Sequence, residues 1–322
     1  MNLLNTTFEK DINNVVKIIN GNKLKSKTIL ITGGTGLIGK MLIFSLMKFN
    51  QENNANIKII TTTRNKKNAL ELFDDFKNSK LFSIIEQDIT KKFDINQLPE
   101  KINYIIHAAA NTSSKDMAHK PLKMIQSVFG GTKNILEVAK ETKTEKFIYL
   151  SSMEVYGTTS SSDGVISEKF YGKIDLNSSR SSYPEAKRLA ELLVLSYGKE
   201  YGFETITLRP TQVIGSGVRY NDPRVFAEFT RQALENNKIV MKTEGKTVRS
   251  YIYITDMITA ILHCICCINE SGIYNVSNEQ ITISIAEMAK IIAGIVGNVK
   301  IVNSSNVRDR VICSRITDDS FK

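Results

Sequence analysis

Tyr183 and Lys187 lie four residues apart in SYPEAKRLAELL, a spacing that puts both side chains on one face of a helix. An ammonium beside a phenol favours the phenolate and lowers its pKa from about 10 toward neutrality, which would make it a usable base for a hydroxyl during hydride transfer. That spacing alone is common by chance. It gains meaning from LSSMEVYG, about thirty residues upstream, where a strand ends and Ser152 can share a hydrogen bond with the same phenolic oxygen.

Gly33, Gly36 and Gly39 in TGGTGLIG recur every third residue, directly after an apolar strand-like run and at the start of a long apolar helix. A tight turn, close approach of backbone to a pyrophosphate and close helix–strand packing each exclude a Cβ, and the helix start adds amide donors and a positive dipole end. The pattern is G-x-x-G-x-x-G instead of the more familiar G-x-G-x-x-G, so a plain tight turn remains the alternative. The next strand, IKIITTTRN, ends in no acid to bind an adenosine ribose; it offers Arg64, which can pair with a 2′-phosphate or simply be a surface arginine. Asp88, after the third strand in EQDIT, is placed to bind adenine or to cap a turn.

These residues need a scaffold, and the chain alternates strand-like runs (KTILIT, IKIITTT, FSIIEQD, YIIHAAA, KFIYLSS, ETITLRP) with helical segments. Near-continuous apolar strands between helices predict an α/β fold with a doubly wound parallel sheet covered on both faces. Ahead of it, FEKDINNVVKIIN carries Ile12, Val15, Val16 and Ile19 at helical spacing, which predicts an amphipathic leader helix within residues 1–26. The dinucleotide-binding domain then occupies 27–214. From GSGVRYNDPR onward the rhythm changes, and 215–322 is expected to form a smaller, interleaved substrate lobe.

The chain has 322 residues, and its 42% hydrophobic and 24% charged content excludes collagen-like, low-complexity and wholly disordered classes. A net charge of +10 would attract anions, although no basic block is long enough to be a nucleic-acid-binding arm. Cys264, Cys266 and Cys267 crowd one apolar helix with His263, and Cys313 is remote, so neither a disulfide framework nor a complete metal site is expected. No run reaches the roughly 18 apolar residues of a membrane span, and MNLLNTTFEKDINN does not read as a signal peptide, so a cytoplasmic protein is expected.

In order, TGGTGLIG, HAAA at 107–110, LSSMEVYG, YPEAK, LRPTQVIGSG and VRSYIYITDM resemble the extended short-chain dehydrogenase/reductase family, specifically its nucleotide-sugar epimerases and dehydratases. The likeness covers about 27–320, and the segment leading into Tyr183 is most similar to the UDP-glucuronate decarboxylases, then to the dTDP-glucose 4,6-dehydratases. The resemblance implies a retained NAD, whereas Arg64 points to NADP. It implies a nucleoside-diphosphate sugar as substrate and a homodimer, with no nucleic-acid or membrane partner. Oxidation at the sugar's C4 would fall to Ser152, Tyr183 and Lys187, with Glu154 acting on the 4-keto sugar. Thr35, Leu37, Ile38, Ile89, Ala108, Ala109 and Pro210 would join the three glycines, Arg64, Asp88, Tyr183 and Lys187 around the cofactor. Arg224 and Arg249 would join Ser152 and Glu154 at the substrate.

The sequence departs from that pattern in four places. Met153 stands where dehydratases carry Asp and decarboxylases carry Ser, and a thioether donates no proton. Ser127 replaces an asparagine, the leader helix is extra, and the chain looks short after RITDDSFK. Decarboxylation or epimerisation is therefore the expected second step. Dehydration is the alternative, or a regulator or scaffold of the same fold that has lost catalysis; the intact Ser152, Tyr183 and Lys187 argue against the last.

Overall fold

The computed structural model describes residues 6–160, 163–303 and 315–316, which places Cys313 and the end of the expected substrate lobe outside the described residues. The chain opens with α1 (Thr6–Ile18) and then runs β1 (Thr28–Thr32), α2 (Leu37–Asn53), β2 (Lys58–Thr63), α3 (Lys66–Leu72), β3 (Phe82–Glu86) and β4 (Tyr104–His107). Two short helices, α4 (Ser114–His119) and α5 (Pro121–Ile125), lead through a π-helical turn at 126–130 into α6 (Gly131–Glu141) and β5 (Lys146–Leu150). The pair β6 (Val165–Ile166) and α7 (Ser182–Tyr201) precedes β7 (Glu204–Pro210) and β8 (Gln212–Ile214). The remainder comprises α8 (Val225–Asn236), β9 (Lys238–Met241), β10 (Val248–Tyr253), α9 (Ile254–Cys266), β11 (Gly272–Val276), β12 (Thr282–Ser284), α10 (Ile285–Val296), β13 (Lys300–Asn303) and β14 (Arg315–Ile316).

The expected doubly wound sheet is present. Seven strands lie in the order β11-β7-β5-β4-β1-β2-β3, and all six pairings are parallel. The order reverses between β1 and β4, which is where open sheets of this kind form a crevice beyond the strand ends. Alternation decides which face each residue serves: Ile29 and Ile31 of β1 enter the core beneath α2 and α9, while Leu30 enters the core beneath α6 and α7. Both cores are apolar and large, so the strands read as continuous apolar runs.

Helix α2 is apolar nearly all round, with Met41, Leu42, Ile43, Phe44, Leu46 and Met47 buried, and such a helix needs cover on its outer side. The leader helix supplies it. Phe8, Ile12, Val15 and Val16 of α1 are buried in the same core, and the Phe8 and Phe44 rings meet edge to face at 5.5 Å.

Past β8 the chain builds a further, smaller core from Phe229, Ala233, Ile239, Met241, Tyr251, Met288 and Ala289. Here β10 pairs with β8 and β12, and β9 pairs with β13. The chain does not stay there. Met257, Ile258, Ile261 and Ile265 of α9 join the main core, and β11 adds to the edge of the seven-stranded sheet beside β7. The apolar face of α9 is buried by this return.

Candidate active site

At the end of β1 the chain turns on Gly33, whose φ of +74° suits glycine, and a Cβ there would lie 2.8 Å from the Ala109 Cα. The glycine loop thus rests directly on the turn after β4, where the Ala109 N–H donates to Thr32 Oγ1 at 3.2 Å. A Cβ on Gly39 would meet Gly33 O at 2.5 Å. By contrast, a Cβ on Gly36 would meet only Gly33 O, at 3.1 Å. The outer two glycines allow packing, and the middle one, the N-cap of α2, leaves the surface above the helix start clear. Thr35, Leu37 and Ile38 line that surface half-buried. Gly34 escaped the sequence reading: a Cβ there would lie 2.1 Å from Thr61 Oγ1, and the Gly-Gly doublet was the available signal.

At the neighbouring strand ends Arg64 is exposed, and Thr61 is buried with its hydroxyl on Ile31 O at 2.8 Å. Asp88 Oδ1 accepts from the Thr90 N–H at 3.0 Å and the Thr90 hydroxyl at 2.8 Å, which makes it a turn residue whatever else it binds. The Thr90 amide holds its carboxyl below the usual range, with the charges of Arg64 and Lys91 adding to the effect, so Arg64 and Asp88 are neighbours. Ile89 is wedged against the start of α6, where a Cβ on Gly131 would approach it to 2.8 Å. Pro210 closes β7, buried.

Tyr183, Lys187 and Glu191 follow one another at single-turn spacing on α7, and each meets the end of β5. Lys187 Nζ donates to Leu150 O at 2.6 Å, and the Ser151 hydroxyl donates to Glu191 Oε1 at 2.5 Å. The Ser152 side chain, whose Oγ accepts from the Glu154 N–H at 3.2 Å, lies near enough to Tyr183 to oppose the effect of burial on its phenol. The strand end carrying Ser152 and the helix carrying Tyr183 and Lys187 are therefore locked in register.

The expectation that Lys187 lowers the phenol's pKa is not what the structure shows. Burial pushes Tyr183 well above its ordinary value, Ser152 opposes this, and the charge of Glu154 adds to it. Burial equally depresses Lys187, to about 7, against the pull of Glu191. The amine lies 4.5 Å from the Tyr149 ring centroid and 5.9 Å from that of Tyr183, so it faces the Leu150 carbonyl and an aromatic face instead of the phenolic oxygen. His107, in the HAAA motif, lies beneath. Its Nδ1 is 2.7 Å from Thr32 Oγ1 and its Nε2 3.1 Å from Thr132 Oγ1, and burial holds its pKa near 3, so it is a neutral bridge between β1, β4 and α6.

Met153 is buried and belongs to a small apolar cluster with Val155, Tyr156 and Ile166, against which Phe170 packs. Glu154 beside it is half-buried. Ser127 falls within the π-helical turn, a distortion that costs hydrogen-bond geometry and recurs at functional sites. Arg224 is clamped by both oxygens of Asp222 at 3.0 and 2.8 Å and donates to Val213 O of β8 at 2.7 Å. Arg249 sits on β10, the partner of β8, so one arginine lies on the three-stranded sheet and the other, at the start of α8, is tied to it. Cys264 and Cys266 are buried and Cys267 is exposed, and none is disulfide-bonded among the described residues. Among the described residues no group of three or more His, Cys, Asp or Glu could hold a metal ion, and no helix is long and apolar enough to cross a membrane.

Residues 29–277 match the model of the NAD dependent epimerase/dehydratase family. The chain belongs to that family. Among relatives of this epimerase/dehydratase, UDP-glucuronic acid decarboxylase 3 of Arabidopsis thaliana is 29% identical over 267 residues, covering 81% of this chain and 73% of the relative. UDP-glucuronic acid decarboxylase 1 of Xenopus tropicalis is 28% identical over 272 residues, covering 84% and 61%. The same fold is seen in UDP-glucuronic acid 4-epimerase from Bacillus cereus, solved with UDP-glucuronic acid and NAD, at a TM-score of 0.75 and 24% identity over 90% of this chain and 89% of that one. It recurs in dTDP-glucose 4,6-dehydratase from Bacillus anthracis in complex with NAD, at 0.73 and 20%, covering 91% and 88%.

The depressed pKa of Lys187 carries a sign. An unfolded lysine binds its proton up to about pH 10.4, whereas the buried one releases it near pH 7. Between those values the unfolded chain holds more protons, so stability rises with pH across that window and is lost as pH falls through about 7. Thermal unfolding of the wild type and Lys187→Met at pH 6 and pH 9 should show the wild type gaining on the variant at the higher pH. A difference that does not change with pH would contradict the buried amine.

Proposed function

We propose that this epimerase/dehydratase oxidises a nucleotide-linked uronic acid at C4 and then decarboxylates it, and that the observation carrying this reading is the locked cluster of Ser152, Tyr183 and Lys187 beside the glycine loop. The cradle suits a dinucleotide: Gly33 and Gly39 let the loop pack onto Ala109 and onto itself, and the start of α2 above Gly36 is open. Gly33, Thr35, Gly36, Leu37, Ile38 and Gly39 would hold the diphosphate, Ala108, Ala109 and Pro210 the neighbouring surface, and Asp88 and Ile89 the adenosine end. When bound, a nicotinamide dinucleotide supplies a reversible hydride acceptor at the sugar's C4. Tyr183 takes the C4 hydroxyl proton and later returns it, with the Ser152 hydroxyl sharing the same oxygen. As described, Tyr183 is the protonated, proton-returning partner; a charge on Lys187 would stabilise the phenolate that the first step needs.

The second step follows from Met153. Dehydration needs an acid to protonate the departing hydroxyl, and a thioether packed in an apolar cluster donates nothing. In a 4-keto uronate the bond from C5 to the carboxylate breaks, its electron pair passes into the adjacent carbonyl, and C5 takes up a proton. No acid is required at the leaving group. Glu154, Arg224 and Arg249 then need only position the substrate, the arginines through its phosphate or carboxylate groups. The 27–29% identity to UDP-glucuronic acid decarboxylases supports this choice. Epimerisation would use the same C4 chemistry, as the likeness to a UDP-glucuronic acid 4-epimerase suggests.

We further infer that residues 27–214, joined by α9 and β11, form the dinucleotide-binding unit, and that the rest of the chain beyond 215 forms the substrate lobe. Leu122 on α5 and Leu189 and Leu192 on the adjacent α7 make an exposed apolar strip, which supports a homodimer. The lack of a disulfide among the described residues supports a cytoplasmic location. The cofactor is NAD or NADP, and the choice turns on Arg64, which stands exposed with Lys66 and Lys67 at the end of a strand that bears no acid.

Three outcomes are expected. Supplied separately with nucleotide-linked glucuronate and nucleotide-linked glucose, the enzyme should release carbon dioxide from the first and form no 4-keto-6-deoxy sugar from the second, as product masses would show. Tyr183→Phe should lower that turnover about a hundred- to ten-thousand-fold with little loss of substrate affinity; robust dehydration of the glucose, or wild-type turnover in the variant, would refute the assignment. Arg64→Ala should weaken NADP relative to NAD in direct binding, and an unchanged ratio would make Arg64 an ordinary surface residue.

A further inference from the structure

Helix α1 lies outside the residues matched by the family, yet its polar side is tied to the loop that follows β8. Asp11, only 6% exposed, accepts through Oδ2 from the Ser216 hydroxyl at 2.5 Å and the Tyr253 hydroxyl at 2.9 Å. One residue on, Gly217 is held at φ +81°, and a Cβ there would lie 2.9 Å from the Phe8 ring and 3.2 Å from Lys40. Lys40, in the first turn of α2, donates to Gly217 O at 2.8 Å and lies 5.4 Å over the Phe8 ring. The loop is thus clamped between the leader helix and the start of α2, and it delivers Arg219 to the glycine loop, where one guanidinium nitrogen donates to Thr35 O at 3.2 Å.

This arrangement gathers positive charge. Lys40 is depressed by burial and by the charge of Arg219, so the two cations are neighbours beside the positive end of a 17-residue helix. Among the described residues Arg219 has no ion-pair partner, and its remaining donors are exposed. Cations converging on a helix start with no ion-pair partner among the described residues are placed for an anion, and a guanidinium fork matches phosphate oxygens.

We propose that Arg219 is a ligand for the diphosphate of the bound dinucleotide, and that Asp11 of the leader helix is a positioning residue that holds it over the glycine loop. The proposal rests on the dinucleotide reading above. It gives the leader helix a part in cofactor retention beyond covering α2.

The test is a set of dissociation constants for NAD, NADP and UDP, measured on the full chain as wild type, Arg219→Ala, Asp11→Asn and the double variant, with melting temperatures alongside. Arg219→Ala should weaken NAD and NADP by a similar factor, on the order of ten- to a hundredfold for a charge-assisted hydrogen bond, and leave UDP unchanged. Asp11→Asn should weaken both dinucleotides less, and should add nothing in the Arg219→Ala background if it acts through Arg219. Undiminished dinucleotide binding by Arg219→Ala overturns the proposal while the dinucleotide reading stands. A loss confined to UDP assigns Arg219 to the nucleotide sugar and overturns it too. Additive losses, or a loss from Asp11→Asn that follows its melting temperature, show that α1 is merely structural. A wild-type chain that binds neither NAD nor NADP overturns the reading and the proposal together.

Discussion

An amine buried at the centre of a protein must be given something in place of water, and around Lys187 that requirement propagates through the fold. Its first partner is the Leu150 carbonyl, and its second is the face of Tyr149. One turn along α7, Glu191 adds the nearest opposing charge, and Glu191 in turn needs donors of its own. Arg209 supplies two, at 3.0 and 2.6 Å, and the Ser151 hydroxyl a third. Arg209 reaches Tyr156 at 3.0 Å and Glu168 O at 3.1 Å, and Tyr156 donates to Asn275 of β11 at 2.5 Å. A satisfied polar chain therefore runs from α7 through β5 and β7 to the edge of the sheet. Shifting α7 by a single residue would leave several of these groups unpaired, and that is what holds Tyr183 against Ser152.

The second constraint is steric and lies on the other side of the order reversal in the sheet. Glycine at positions 33, 34 and 39 lets the loop after β1 touch the turn after β4, the threonine of β2 and its own helix at distances no side chain tolerates. The surface above Gly36 is what remains when those approaches are made. The cluster at α7 and the open helix start thus lie at the same end of the sheet, because β1, β4 and β5 are adjacent and parallel. Chemistry at a sugar carbon needs both, one group to move a proton and one cradle to hold a hydride acceptor.

Much of this was legible in the sequence. The strands announced themselves because a parallel sheet covered on both faces must be apolar along its length, and the glycines at 33, 36 and 39 carried their own stereochemical reason. The four-residue step from Tyr183 to Lys187 correctly placed them on one helix face. What the sequence withheld depends on contacts remote in the chain. Whether Lys187 or burial governs the Tyr183 phenol is decided by which carbonyl the amine meets, and Leu150 is 37 residues away. Asp11 and Ser216 are 205 residues apart, and no periodicity links them. The return of α9 and β11 to the main sheet was hidden because their apolar character suits either core. Gly34 falls outside the every-third-residue pattern, and its tightest contact is with Thr61 of the next strand.

The central claim is that one carbon of the substrate is oxidised and later reduced within a single, closed site. Nucleotide-linked glucuronate carrying deuterium at C4 tests it most directly, with products examined by mass spectrometry and proton NMR after complete conversion in ordinary water. A hydride that leaves C4 and returns to it without meeting solvent predicts a product that has lost carbon dioxide and still carries deuterium at C4, with a solvent proton at C5. Deuterium washed out of C4 into water, or a decarboxylated product formed with no change at C4 in a Tyr183→Phe variant of full activity, would contradict the account.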